Sequence, residues 1–85
     1  MDISFPLYRK YPHERTFFKI TSEETFEQLD IIGDAFHIHH FTAQVYPDRV
    51  LILDMMEKKD GYWLDSHAAE YEEKLAYCKQ ELKAL

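Results

Sequence analysis

With 85 residues, 46% of them hydrophobic and 31% charged, the chain has the composition of one small folded domain rather than of a disordered or low-complexity segment. A net charge of −6 disfavours direct nucleic-acid binding, which needs phosphate-neutralising Lys and Arg on one face. No apolar run approaches the ~18 residues of a membrane span, two glycines leave no Gly-rich phosphate loop, and one cysteine permits neither a CxxC pair nor an internal disulfide.

The opening Met1-Asp2-Ile3-Ser4-Phe5-Pro6 lacks the basic-then-apolar layout of a signal peptide, and the single Cys78 fits a reducing compartment, so a cytoplasmic setting is expected. Residues 5–11 and 15–21 are rich in aromatic and β-branched side chains. They flank Pro12-His13-Glu14 and predict a hairpin around a proline-initiated turn. Next, Thr21-Ser22-Glu23-Glu24 fits a capping box, acids fill the first turn, and Gly33 stands where a helix commonly ends. Phe26, Leu29 and Ile32 then share one helical face, with Glu23, Glu27, Asp30 and Asp34 nearly opposite. Ile31 fits neither face, which keeps a strand reading of 25–32 open.

Residues 36–46 and 50–56 repeat the hairpin layout around Pro47-Asp48. Tyr11-Pro12-His13-Glu14-Arg15 is echoed by Tyr46-Pro47-Asp48-Arg49, which leaves an internal ββα duplication open as well. Within the first arm, Phe36 and Ile38 point to one face while Phe41, Ala43 and Val45 point to the other. Either a bulge near His39-His40 restores the parity, or the sheet is apolar on both sides and needs a second layer, such as another subunit. After the Lys59-Asp60-Gly61 turn, Asp65 or Ser66 caps a helix running to about Leu82. Its spacing puts Ala68, Tyr71, Leu75, Cys78, Leu82 and Leu85 on one stripe and pairs Glu70 with Lys74 on the surface, with Leu64 and Tyr62 or Trp63 anchoring the start. The expected fold is a single α+β domain over 1–85: a four-stranded antiparallel sheet in ββαββα order with the long C-terminal helix packed on one face.

Few residues here have the makings of a chemical site. His37 and His39 lie two apart on a predicted strand, so their side chains leave the same face about 7 Å apart, within reach of one metal ion. A third ligand from His13, Asp48, Asp54 or His67 is not demanded by any spacing, so no metal or cofactor is assigned. Asp65-Ser66-His67 has the residue types of a hydrolytic triad, but neighbours at a helix start point in different directions, and a cap is the expected role. Cys78 sits on an apolar stripe with no histidine one turn away, which reads as a core thiol. No catalytic residue is assigned.

Binding features are more prominent. Residues 1–20 hold Arg9, Lys10, Arg15 and Lys19 against Asp2 and Glu14, whereas 21–34 hold Glu23, Glu24, Glu27, Asp30 and Asp34 with no cation. The acids Glu23, Glu27, Asp30 and Asp34 are therefore the candidate partner-binding residues, as a helical stripe whose mutual repulsion a partner would relieve. Tyr8, Tyr11, Tyr46, Tyr62 and Trp63 exceed what one thin core easily encloses, and a homodimer joined through a sheet face or edge would use them. Thr16-Phe17-Phe18-Lys19-Ile20, Phe26-Glu27-Gln28, Ile32-Gly33, Ala43, Tyr46-Pro47, Ile52 and Asp54-Met55-Met56 resemble a group of short uncharacterised bacterial proteins over about residues 16–63. That likeness implies no activity, cofactor or site residue. The expectation is a non-enzymatic protein-interaction module, free or homodimeric, binding neither nucleic acid nor membrane. The alternatives are a small metal-binding or metal-dependent protein using His37 and His39, and an acidic inhibitor of a nucleic-acid-binding protein.

Overall fold

Alternating side chains from Leu7 to Thr42 build four consecutive antiparallel strands: β1 (Leu7–Lys10), β2 (Thr16–Ile20), β3 (Thr25–Ile32) and β4 (Ala35–Thr42). The computed structural model describes residues 3–85; Met1 and Asp2, part of the N-terminal charge and leader reading, lie outside them. Two helices and two short strands follow, namely α1 (Tyr46–Glu57), β5 (Leu64–Asp65), α2 (Ala68–Glu81) and β6 (Lys83–Ala84). The sheet order is β5-β1-β2-β3-β4-β6, with every pair antiparallel except β4 and β6, which run parallel.

The sheet is covered on both faces, one helix to each. On one face Phe18, Ile20, Phe26 and Phe41 pack against Ile52 and Met55 of α1 and against Trp63. On the other, Phe17, Leu29, Phe36 and Ile38 pack against Tyr71, Leu75 and Cys78 of α2. The helices lie over opposite ends of the strands, because Phe17 and Leu29 register with Ile38 whereas Ile20 and Phe26 register with Phe41. Each face therefore has an apolar half under a helix and a polar half beyond it. Thr16, Gln28, Asp30, His37 and His39 form the polar half on the α1 side; Lys19, Glu27 and His40 form it on the α2 side.

This arrangement corrects the expected four-stranded antiparallel sheet in ββαββα order: the sheet has six strands, one parallel pair, and the order ββββαβαβ. The segment read as an acidic helix is β3, the strand alternative for 25–32. Thr21-Ser22-Glu23-Glu24 is not a helix cap but the β2–β3 turn, where the Ser22 hydroxyl accepts from the Glu24 amide at 3.1 Å. Gly33 ends no helix; it takes φ +61° at the first central position of a two-residue turn between β3 and β4.

The second predicted hairpin is also corrected. Pro47 occupies the first turn of α1, where its missing N–H costs nothing, and the Asp48 carboxylate accepts from the Gln44 amide at 2.9 Å and the Val45 amide at 3.3 Å. With 46–57 helical and 35–42 paired to β3, the ββα duplication disappears. The β3–β4 ladder runs without interruption from Thr25↔Thr42 to Ile32↔Ala35, so no bulge resets the parity at His39-His40. The two-sided apolar alternative holds instead, and the second layer is α1 of the same chain. The first hairpin and the span of the C-terminal helix agree with expectation, but Ala68 and Leu85 of the expected stripe are exposed, Trp63 rather than Leu64 or Tyr62 is the buried anchor, and α2 is capped by His67, whose Nδ1 accepts from the Glu70 amide at 3.3 Å. Glu70 turns to Lys10 at 3.0 Å rather than to Lys74, whose ammonium lies 5.9 Å from the centre of the Phe17 ring.

Candidate functional site

The four acids proposed as one stripe are dispersed by the strand. Glu23 and Asp34 are exposed in the two turns that flank β3. Glu27 faces the α2 side, where its Oε1 accepts from the Tyr71 hydroxyl at 2.6 Å. Asp30, an odd number of residues further on, faces the α1 side, with Oδ1 accepting from the Thr16 hydroxyl and the Gln28 amide, both at 3.0 Å. The repulsion a helix would impose is absent, since Glu27 and Asp30 lie on opposite faces and each has donors of its own. Burial, reinforced by the bond to Glu27, pushes the Tyr71 hydroxyl far above its ordinary range, so it stays protonated and can donate to Glu27.

His37 and His39 do share a face and meet: His37 Nδ1 lies 2.7 Å from His39 Nε2, with the rings edge to face. Asp30 Oδ2 stands 3.7 Å from the same His39 nitrogen, so the carboxylate is fixed by Thr16 and Gln28 and borders the imidazole pair. Of the other suggested ligands, His13 accepts from the Arg15 amide, Asp48 caps α1, His67 caps α2 and Asp54 pairs with Lys59 at 4.0 Å. Among the described residues no three His, Cys, Asp or Glu side chains are gathered so as to hold a metal ion. The imidazole pair stands at the edge of the sheet, with His39 and His40 exposed.

Asp65, Ser66 and His67 form no relay. Asp65 pairs with Lys58 at 2.8 Å, Ser66 donates to Glu70 at 2.5 Å, and His67 caps the helix. Cys78 is fully buried, and that burial pushes its thiol above the ordinary range, which suppresses the thiolate needed for nucleophilic chemistry. Of the aromatic set, Tyr11 and Trp63 pack together at 6.3 Å and Tyr8 packs on Tyr71 at 5.7 Å, so these three belong to the cores. Tyr46 and Tyr62 remain exposed.

One feature escaped the sequence reading: the outer edge of β4. β6 covers β4 only beside Ala35 and Phe36, with the Leu85 amide donating to the Phe36 carbonyl at 2.9 Å and the Lys83 amide to the Asp34 carbonyl at 2.9 Å. Even-numbered residues thus point their backbone groups outward. From Ile38 onward no strand lies beyond β4 among the described residues. The outward amides of Ile38, His40 and Thr42 and the carbonyls of Ile38 and His40 therefore have no backbone partner beyond β4 among the described residues, and the Thr42 carbonyl takes only a long 3.5 Å contact from the Gln44 side-chain amide, which together make a strand template. The clue was available in the sequence, since residues 35–42 contain neither a formally charged residue nor a proline.

No helix among the described residues is long and apolar enough to cross a membrane. Comparison with family models, curated proteins and solved structures finds no match to the chain.

Proposed function

We propose that the chain is a non-enzymatic protein-interaction module that takes up an extended segment as an added strand beside β4, in a cytoplasmic setting. The open edge from Ile38 to Thr42 carries this reading. Natural sheets blunt an exposed edge with Lys, Pro or a bulge, and this stretch has none of these. Strand addition uses main-chain hydrogen bonds for affinity and alternating side chains for selectivity, here Ile38, His40 and Thr42 on one face and His39 and Phe41 on the other. Selection of peptides from a display library tests it. Binders are expected to perturb the backbone amide signals of Ile38, His40 and Thr42 and to be lost in His40→Pro, whose ring removes an outward N–H. Binders that map to the acidic turn residues Glu23 and Asp34 instead would replace the edge as the site.

A second reading draws on the two imidazoles brought together on one face, where a metal ion would replace the 2.7 Å hydrogen bond between them: a two-histidine site for Cu(II), Ni(II) or Zn(II), with water completing the coordination. Equilibrium dialysis against each metal is expected to show one ion bound weakly and lost in His37→Ala. Equal uptake by that variant would end this reading.

A further inference from the structure

We infer that the segment added beside β4 is β4 of a second copy of this chain, forming a two-fold dimer centred on His40. The inference rests on the reading of the β4 edge as a binding surface and adds the identity of what binds there. Charge is the first argument. A molecule of net charge −6 repels its own copy over most of its surface, whereas Ala35–Thr42 carries no Asp, Glu, Lys or Arg. A basic partner would be drawn to the acids elsewhere; an uncharged strip suits a partner whose meeting strip is equally uncharged. The acids that register with this strip on β3, Glu27 and Asp30, already accept from Tyr71 and from Thr16 and Gln28, and the exposed Asp34 lies at the turn end that β6 closes.

Register is the second argument. Leu85 follows Ala84 along the β4–β6 pair and so stands beside His37, which closes the edge at one end, and the strand leaves the sheet after Thr42. The free length is Ile38 to Thr42. An antiparallel two-fold centred on His40 uses all of it, pairing His40 with His40 and Ile38 with Thr42, for about six backbone hydrogen bonds once the Gln44 side chain releases its long 3.5 Å contact with the Thr42 carbonyl. Centring on Ile38 would drive the partner into β6, and centring on Thr42 would leave most of the strip unpaired. In the His40 register each Phe41 faces His39 of the other copy on the α1 side, while each Ile38 faces Thr42 on the α2 side.

The flanks supply the third argument. Val45 and Tyr46, 57% and 78% exposed, lie just past one end of the strip, and Leu85, 71% exposed, lies at the other. A two-fold axis through His40 turns the Val45-Tyr46 end of each copy toward Leu85 of the other. The same apolar contact then forms twice, which is the signature of an isologous interface. Strand pairing over so short a stretch needs this additional area to approach the ~1,200 Å² of a specific interface.

The test is sedimentation velocity over a concentration series on the whole chain and on two variants, with circular dichroism confirming the fold of each. The chain is expected to convert from monomer to dimer as concentration rises, and His40→Pro to remain monomeric. His40→Lys keeps the backbone N–H but sets two ammonium groups opposite each other, and is expected to weaken the dimer by about tenfold or more. A dimer unaffected by both substitutions, or a chain monomeric throughout, overturns the inference. In the monomeric case, library peptides that still bind at Ile38–Thr42 leave the interaction module standing with another partner. Absence of any such binder removes both.

Discussion

Glu70 ties three segments together: it accepts from the Ser66 hydroxyl at 2.5 Å, receives the Lys10 ammonium at 3.0 Å, and its amide is capped by His67. The Ser66 hydrogen bond, helped by Lys10, holds its carboxyl below the ordinary value of 4.5. A depressed carboxyl contributes stability that is present above its unfolded pKa and lost as pH falls through the folded one. Glu70→Gln is therefore expected to lower stability by about 1 kcal/mol at neutral pH. The difference between the two proteins should shrink to nothing in thermal melts taken well below pH 4.5. Tyr71 offers a second single-residue test. Its buried hydroxyl donates to Glu27, and Tyr71→Phe is expected to cost about 1–2 kcal/mol in urea unfolding. An unchanged midpoint would mean that water replaces the phenol fully. Single-residue roles at the C-terminal end were legible because they depend on local spacing: a buried thiol at Cys78 and a cap in Asp65-Ser66-His67 follow from one helix alone, though the capping atom belongs to His67.

At the level of elements, Arg9 is the clamp between the sheet and α1. Its Nε donates to the Met55 carbonyl at 3.0 Å and Nη2 to the Met56 carbonyl at 2.8 Å, closing the last turn of the helix, while Nη1 donates to the Tyr8 carbonyl at 2.7 Å. A planar fork makes these bonds and a point charge does not, so Arg9→Lys is expected to destabilise the fold by about 1–3 kcal/mol, read as a lower urea midpoint with unchanged slope. Two elements were misread because their local spacing suits either a helix or a strand. Phe26 and Leu29 are three apart, which matches a helix; in β3 the same spacing sends them to opposite faces, and both are buried because each face has its own helix. A sheet covered on both sides loses the alternation by which strands are recognised. Likewise Val50-Leu51-Ile52-Leu53 reads as a strand, yet only Ile52 of the four is buried, with Met55 one turn later. The Pro47-Asp48 pair fits a turn and a helix start equally well by local chemistry, and burial of Ile52 and Met55 on the sheet favours the helix.

For the molecule as a whole, charge and edge act against each other. Two copies at −6 each repel at long range, while the β4 strip attracts at contact. Added salt screens the first and hardly touches the second, so dimerisation is expected to strengthen by about several-fold between low and physiological ionic strength. A dimer that weakens with salt would point to an interface held by charges rather than by β4. The fold class and the number of layers were harder to read than either terminal element, because strand order depends on contacts distant in sequence. β5 and β6 are two residues each and carry no pattern; they exist because Arg9 and Lys10 pair with Asp65 and Leu64, and Ala35 and Phe36 with Lys83 and Ala84.

The order of the elements along the chain has a consequence in time. All four long strands, residues 7–42, precede both helices that cover them. A chain growing from its N-terminus completes the meander while Phe17, Phe18, Leu29 and Phe36 are still bare on their two faces, and the edge of β4 is then open along its full length because β6 follows both helices. Synthesis thus passes through a stage in which the sheet is most adhesive before it is finished, and α1 and α2 arrive as its successive lids.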